Sequence, residues 1–136
     1  MNTRENLIYL LTKELELMDY TVCSAEELPS VAGRCGSPMA VVGEPKMVSS
    51  AVAGATTAAY DVGVKMLIQR RCRADKSAPI LAIIEDDVLA VAERVAEAER
   101  VVSVAVRELA PIAGGLTHTG DVAMSVGLRV EMFKSV

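Results

Sequence analysis

Residues 77–98, SAPILAIIEDDVLAVAERVAEA, carry the clearest helical pattern in the chain. Their apolar side chains share one stripe along a helix: Leu81, Ile84, Val88, Val91, Val95 and Ala98. Asp86 and Glu93 lie on the opposite side, and Ser77 is suitably placed to cap the N-terminus. The stretch therefore predicts an amphipathic helix whose apolar face needs a flat apolar surface to cover it.

Alternation of apolar and polar residues predicts two long strands. In residues 60–71 the apolar side chains share one face: Tyr60, Val62, Val64, Met66 and Ile68. The polar side chains of this stretch point the other way: Asp61, Lys65, Gln69 and Arg71. Residues 122–132 alternate in the same manner. A sheet with one apolar and one polar face is typical of antiparallel strands that are covered on one side.

The N-terminal region predicts a first helix and a short return. Asn2 and Glu5 have the spacing of a capping box, and an apolar stripe carries the helix to about Met18. Residues 19–23 predict a short extended return, and Ser24–Leu28 the start of a further helical turn.

Shorter signals complete the order of elements. Met39–Gly43 predicts one strand and Val102–Val106 another, while 48–57 and 109–121 are interpreted as long connections. The order α–β–β–α–β–β predicts an α+β fold, as a single domain over residues 1–136. We expect a four-stranded, mainly antiparallel sheet with both helices packed on its apolar face.

Composition narrows the class of protein. Apolar residues make up 51% of the chain and charged residues 24%, which indicates a folded, soluble protein. The net charge of −4 argues against nucleic-acid binding as a main task. Three cysteines, an odd number without close pairing, are typical of free thiols in a reducing compartment. We expect no secretory signal and no membrane span, and therefore a protein made in a cytoplasm.

The sequence contains no cluster that predicts a reaction. The cysteines fit no zinc-binding spacing and His118 is the only histidine, so we expect no metal site. Glu85-Asp86-Asp87 point about 100° apart on a helix, which favours a solvated face over an acid–base pair. Gly114-Gly115 belongs to neither of the common phosphate-binding glycine motifs, so no nucleotide cofactor is expected.

Several residues have no role in this fold and are candidates for contacts with other proteins. They are Leu89, Arg70, Arg71, Arg73, Phe133 and His118. Leu89 lies about 140° from the middle of its helix stripe, and Phe133 is on the polar side of its strand. The arginines form a basic cluster that either ends a strand in solvent or meets an acidic partner. With the two long loops and a free sheet face, these residues favour a protein that assembles with others.

A family resemblance covers nearly the whole chain. The features that carry it follow the sequence in order: an amphipathic N-terminal helix, the strand Ala40-Val41-Val42 with a Pro-containing turn and a variable loop, the long strand Tyr60–Arg71, the helix Pro79–Ala98, a valine strand with Glu108 and Pro111, a Gly/Thr loop with Gly120-Asp121, and the strand Val122–Met132. In these features the chain resembles small neck proteins of long-tailed bacteriophages, namely the tail terminator (tail completion) group and related minor capsid proteins.

The resemblance implies a non-enzymatic structural protein without a cofactor. Subunits of such proteins form a homo-oligomeric ring, commonly a hexamer, which caps the finished tail tube and halts its polymerisation. The implied partners are the tail-tube protein and a head-completion protein, with no membrane and no specific nucleic-acid recognition. The protein would be made in the bacterial host cytoplasm and would reside in the virion tail or neck.

Two other functions stay open on the residues alone. One is a small-molecule-binding or regulatory dimer that uses Gly33–Ser37 and Gly114–Gly120 as backbone-amide cradles for a ligand. The other is a hydrolytic enzyme that pairs Cys35 with His118 as nucleophile and base. Such a pair is defined by its geometry, which sequence spacing does not provide.

Overall fold

The computed structural model describes residues 2–28, 38–48, 54, 56–69, 77–116 and 120–134. The helices and strands in these ranges follow the chain in this order: α1 (Thr3–Leu17), β1 (Thr21–Cys23), β2 (Met39–Val42), β3 (Lys46–Met47), β4 (Thr57–Gln69), α2 (Ser77–Ala96), β5 (Val101–Ile112) and β6 (Asp121–Phe133). The α+β class is confirmed. The prediction of four strands is wrong, because the short return β1 and the two-residue β3 also join the sheet, which has six strands.

The sheet is built around the pairing of β4 with β6. These strands run antiparallel in unbroken register from Thr57 opposite Phe133 to Gln69 opposite Asp121. The strand order is β1-β2-β4-β6-β5, and β3 pairs with β4 on the edge that β2 also uses. Neighbouring strands are antiparallel except β1 and β2, which are parallel. Strands β4 and β6 therefore occupy the middle of the sheet.

Local capping explains the first helix and the turn after β1. The Asn2 Oδ1 atom accepts a hydrogen bond from the backbone N–H of Glu5 at 2.8 Å, as the capping box predicts. A second cap follows β1, where the backbone N–H of Glu27 donates to Ser24 Oγ at 3.2 Å. The backbone N–H of Leu28 donates to the Ser24 carbonyl at 3.1 Å. The helical turn predicted at 24–28 is confirmed in this form.

Both helices contribute to one core on the same face of the sheet. The most deeply buried side chains of the helices are Leu7, Leu11, Leu15, Ile80, Ile84 and Val95. The stripe predicted for α2 needs a correction, because Ile80 and Ala92 are buried while Leu81 and Ala98 are only partly buried. The buried arc is wider than a sheet contact alone requires, since α2 also meets α1, where Arg94 lies 3.3 Å from Glu14.

The other face of the sheet is not uniformly polar, contrary to the prediction. One end of it carries a second apolar cluster, formed by Leu28, Met39, Leu67 and Ala123. The capped turn after β1 brings Leu28 onto this face, and Leu67 becomes 99% buried as a result. Gln69, which was predicted to point to solvent, is only 1% exposed.

Strand β5 is longer than predicted and forms one edge of the sheet. It continues to Ile112, so the connection to β6 is shorter than the predicted 109–121. Its register against β6 shifts between Val101 and Ser103 and again between Val106 and Glu108. Pro111 lies within β5, and an edge strand is the place where a residue without an N–H is tolerated.

The position of the buried face of α2 can be tested by shortening one side chain inside it and one at its edge, and by comparing the two losses of stability. Ile80→Ala should lower the free energy of unfolding by about 2–5 kcal/mol, because the side chain is fully enclosed. Leu81→Ala should cost clearly less, because Leu81 is only partly buried. Urea denaturation measures both free energies of unfolding, and they can be compared directly when the two variants have the same m-value. Equal losses would contradict the observed arc and favour the stripe read from the sequence.

Candidate functional site

We call the face of the sheet opposite the helices the open face. Three directly opposed pairs form its centre: Asp61 with Arg129, Gly63 with Gly127, and Lys65 with Ser125. Asp61 and Lys65 are exposed, whereas the intervening Val62 and Val64 are buried on the helix side. The alternation predicted for β4 is confirmed at these positions. The centre of the open face therefore carries charged side chains next to two glycines, which expose the strand backbone.

An ion pair with two hydrogen bonds joins β4 to β6 on the open face. The Arg129 guanidinium donates to Asp61 through Nε at 2.8 Å and through Nη2 at 3.0 Å. The hydrogen bonds from Arg129 hold the pKa of the Asp61 carboxyl below its usual value, and the nearby charge of Arg107 adds to this effect. The charges of Asp61 and Arg129 therefore neutralise mainly each other.

A charged recess lies on one side of the two glycines. It has a volume of about 460 Å³, and charged side chains surround it: Glu44, Lys46, Asp61, Arg107, Glu108 and Arg129. Glu44 is paired with Arg4 of α1 at 2.6 Å. Lys46 and Arg107 form no ion pair within the described part of the chain. Their charges are available to a partner.

An apolar recess lies on the other side of Gly63. It has a volume of about 390 Å³, and these residues line it: Ala25, Leu28, Val41, Gly43, Gly63, Val64, Lys65, Leu116 and Ser125. Lys65 is the one charged side chain among these described lining residues, and it forms no ion pair with another described residue. The size is within the range of small-ligand sites, and it also suits an apolar side chain of a protein partner.

The glycines between the recesses differ in what the fold requires of them. A Cβ at Gly43 would lie 3.0 Å from the Gly63 carbonyl oxygen, and one at Gly127 would lie 3.1 Å from Glu108 Cβ. A Cβ at Gly63 would meet only the Val126 carbonyl oxygen, at 3.9 Å. Packing therefore explains the first two glycines but not Gly63. A glycine inside a strand weakens it and often marks close approach of a ligand or another backbone.

Gly63 was not among the residues predicted to have a functional role, although its position in the strand is a signal. A glycine in the middle of an otherwise regular strand is a known sign of a bulge or of close approach. The register of β4 with β6 is unbroken at Gly63, but on the other edge of β4 it shifts by one residue beside Gly63, between Val42 opposite Val64 and Lys46 opposite Asp61. Lys65 was assigned to the correct face, but its place beside an apolar recess depends on Leu28 and Leu116, which are distant in sequence.

Two of the predicted contact residues are exposed but lie on different layers. Leu89 is 50% exposed on the outer side of α2, facing away from the core. Phe133 is 46% exposed at the end of β6, where it pairs with Thr57. The structure therefore does not bring them together. The other four predicted contact residues, Arg70, Arg71, Arg73 and His118, lie outside the described residues, as does Cys35.

The acidic run on α2 is only partly a solvated face. Glu85 and Asp86 are exposed, but Asp87 is half-buried and accepts a hydrogen bond from the Tyr20 hydroxyl at 2.7 Å. Burial raises the pKa of the Tyr20 hydroxyl well above its ordinary value, and the Asp87 carboxylate raises it further. The prediction that all three acids are solvated is therefore wrong for Asp87, which fastens α2 to the segment after α1.

The loop between β5 and β6 was one of the predicted ligand cradles. Its Leu116 N–H donates to Asp121 Oδ2 at 2.8 Å, and Asp121 is only 4% exposed. Gly115 has a φ of 74°, and a Cβ there would lie 2.7 Å from the same carboxylate. The Leu116 amide therefore binds the protein's own carboxylate, and this bond holds residue 116 against the start of β6.

The described residues contain no group of three His, Cys, Asp or Glu side chains placed to hold a metal ion. No helix within the described ranges is long and apolar enough to cross a membrane. No protein-family model matches the chain, and a search of curated proteins found no match.

The Asp61–Arg129 pair gives a pH-dependent prediction. Because the folded-state pKa of Asp61 is depressed, its stabilising contribution is present above the unfolded pKa and is lost as the pH falls through the folded value. Arg129→Gln should raise the pKa of Asp61 toward the ordinary value. An NMR titration of the Asp61 carboxyl carbon measures the change. Arg107→Gln is the control and should raise the pKa less; an equal effect would contradict a hydrogen-bonded origin.

The Tyr20–Asp87 contact gives a stability prediction. Tyr20→Phe should lower the free energy of unfolding by about 1–2 kcal/mol, because a half-buried carboxylate loses its donor. Thermal and urea denaturation measure the loss. Tyr9→Phe is the matched control, since Tyr9 is 52% exposed and should tolerate the change. An unchanged stability in the Tyr20 variant would show that solvent replaces the hydrogen bond.

Proposed function

We propose that this protein is a non-enzymatic structural protein of a long-tailed bacteriophage, similar to the tail terminator and minor capsid proteins of the neck. Its subunits assemble into a ring, with six as the expected number, that caps the tail tube and joins it to head-completion proteins. The open face is the observation that carries the proposal. Its centre is exposed at Asp61 and Lys65 and is shaped into two adjoining recesses.

Two dissimilar faces support a ring. The open face has recesses and a glycine floor, whereas the outer side of α2 presents Leu89 among exposed acids. A ring requires a heterologous contact, in which each subunit uses one surface to bind a different surface of its neighbour. A closed ring then offers two distinct ends, which suits a protein that meets a tube on one side and the neck on the other.

The free edge of β5 is less suited to the contact than the faces. Two register shifts and Pro111 interrupt this strand. Bulges and proline are the devices by which natural sheets prevent pairing along an exposed edge. Assembly through faces therefore agrees better with the sheet than assembly through added strands.

The proposal is tested with the purified chain and the tail-tube protein of the same phage. Light scattering coupled to gel filtration should give a single mass that is a multiple of the subunit, and electron microscopy should show rings. Added before tube growth ends, the protein should limit tube length by capping. A chain that stays monomeric at all concentrations and leaves tube length unchanged would overturn the proposal.

The apolar recess favours a second candidate, a module that binds a small molecule as a dimer. Its volume of about 390 Å³ fits a small ligand, and Lys65 at its rim would favour an acidic one. A thermal-shift screen of aliphatic carboxylates, nucleotides and sugar phosphates tests this, since a ligand bound to the native state raises the melting temperature. No shift across the screen would exclude these classes.

A further inference from the structure

We infer that the subunit contact of the proposed ring is formed between the outer side of α2 in one copy and the open face of the next, with Leu89 seated in the apolar recess beside Gly63. The inference rests on the proposed function, because it names the surfaces by which the ring closes. It commits the open face to one occupant, a second copy of this chain.

Gly63 is the first feature of the open face that supports this contact. Gly63 lies at the centre of the open face, and both recesses include it in their lining. Its φ is not in the left-handed region, and a Cβ there would lie 3.9 Å from the nearest atom, an ordinary van der Waals contact, so packing does not require a glycine. A bare strand at this point allows a helix to approach more closely than any side chain would permit.

The shape of the α2 surface also supports the contact. Leu89 is 50% exposed, and the positions one turn away on either side, Glu85 and Glu93, are exposed acids. Small exposed alanines lie two turns away, at Ala82 and Ala96. The surface is a narrow ridge with one apolar projection at its middle, and such a ridge fits a concave surface.

The charges of the two surfaces also support the contact, because they are opposite in sign. Three cations on the open face, Lys46, Lys65 and Arg107, form no ion pair within the described residues. The ridge on α2 is acidic, and its nearby basic residue, Arg94, is already paired with Glu14 at 3.3 Å. An acidic ridge with one leucine therefore matches the apolar recess, whose one charged side chain among the described lining residues is Lys65, while Lys46 and Arg107 line the adjoining charged recess.

The positions of the ridge and the recess in the subunit support a head-to-tail contact. The ridge lies on the helix layer and the recess on the opposite side of the sheet. One contact between two copies uses the ridge of one and the recess of the other, so the pair still has one free ridge and one free recess. Such contacts continue until a ring closes. In the assembled ring the open face would gain the helical cover that the isolated subunit lacks.

Single substitutions test each side of the contact. Leu89→Ser removes the projection and Gly63→Leu fills the recess, and each should raise the dissociation constant between subunits by about tenfold or more. Gly63→Ala should have a smaller effect, because it leaves most of the recess open. Val102→Ser is the matched control, since Val102 is 43% exposed on β5, lines neither recess and is not part of α2. Sedimentation velocity measures the subunit equilibrium of every variant.

A mixture of the two variants tests whether the contact is head-to-tail. The Leu89→Ser chain keeps its recess and the Gly63→Leu chain keeps its ridge, so only one contact forms between them. At a concentration between the wild-type and the variant dissociation constants, each alone should be monomeric, while the mixture should form a dimer and nothing larger. A mixture that stays monomeric would overturn the inference, as would variants that retain the wild-type oligomer.

Charge reversal provides an independent measurement. Glu93→Lys and Lys65→Glu should each weaken association, and the double variant should recover part of the loss. Circular dichroism melting checks that every variant folds; should Gly63→Leu unfold, Leu89→Ser and the charge pair still decide the question. Additive losses in the double variant would contradict proximity of the two groups in the interface.

The outcomes separate the inference from the proposed function. Rings that persist in all variants and still limit tube length would leave the function standing and remove this contact. Variants that dissociate as expected, from a wild-type oligomer that neither closes into rings nor limits tube length, would support the contact and contradict the function. A monomeric wild-type chain would overturn both.

Discussion

The long antiparallel pairing of β4 with β6 is the constraint on which the rest of the structure depends. Each strand has 13 residues, and they pair without a register shift. Because side chains alternate between faces, this register decides at once what lies in the core and what lies on the open face. A slip by one residue would move the buried valines and methionines into solvent. Both helices, both recesses and both sheet edges take their positions from this pair.

The parts of the fold that could be predicted are those whose signal is local and periodic. The alternation in β4 and β6 and the stripe of α2 give the α+β class and place the helices on one side. The strands β1 and β3 are too short to show periodicity, and they are stabilised by neighbours such as Met39 and Tyr60 that are distant in sequence. The burial of Leu67 could not be predicted either, because it depends on the turn that carries Leu28.

The candidate site was predictable only in outline. A free sheet face follows from the polar side of the strands, and the exposure of Leu89 follows from its angle on α2. The apolar recess does not follow, because it arises where Leu28, Val41 and Leu116 from three separate segments meet the bare backbone of Gly63. The role of Asp87 was hidden for the same reason, since its partner Tyr20 is 67 residues away. Contacts between residues that are far apart in sequence produce no periodic pattern from which they could be predicted.

The position of β6 has a consequence for the order of events in folding. It follows every other described strand in the sequence, yet it lies between β4 and β5. A nascent chain that has extended through β5 therefore holds two long apolar strands with no shared partner. The sheet cannot grow in the order of synthesis, and its two largest ladders form together when the last strand inserts. Such late, non-local pairing slows folding and lengthens the interval in which unpaired strands are exposed to aggregation.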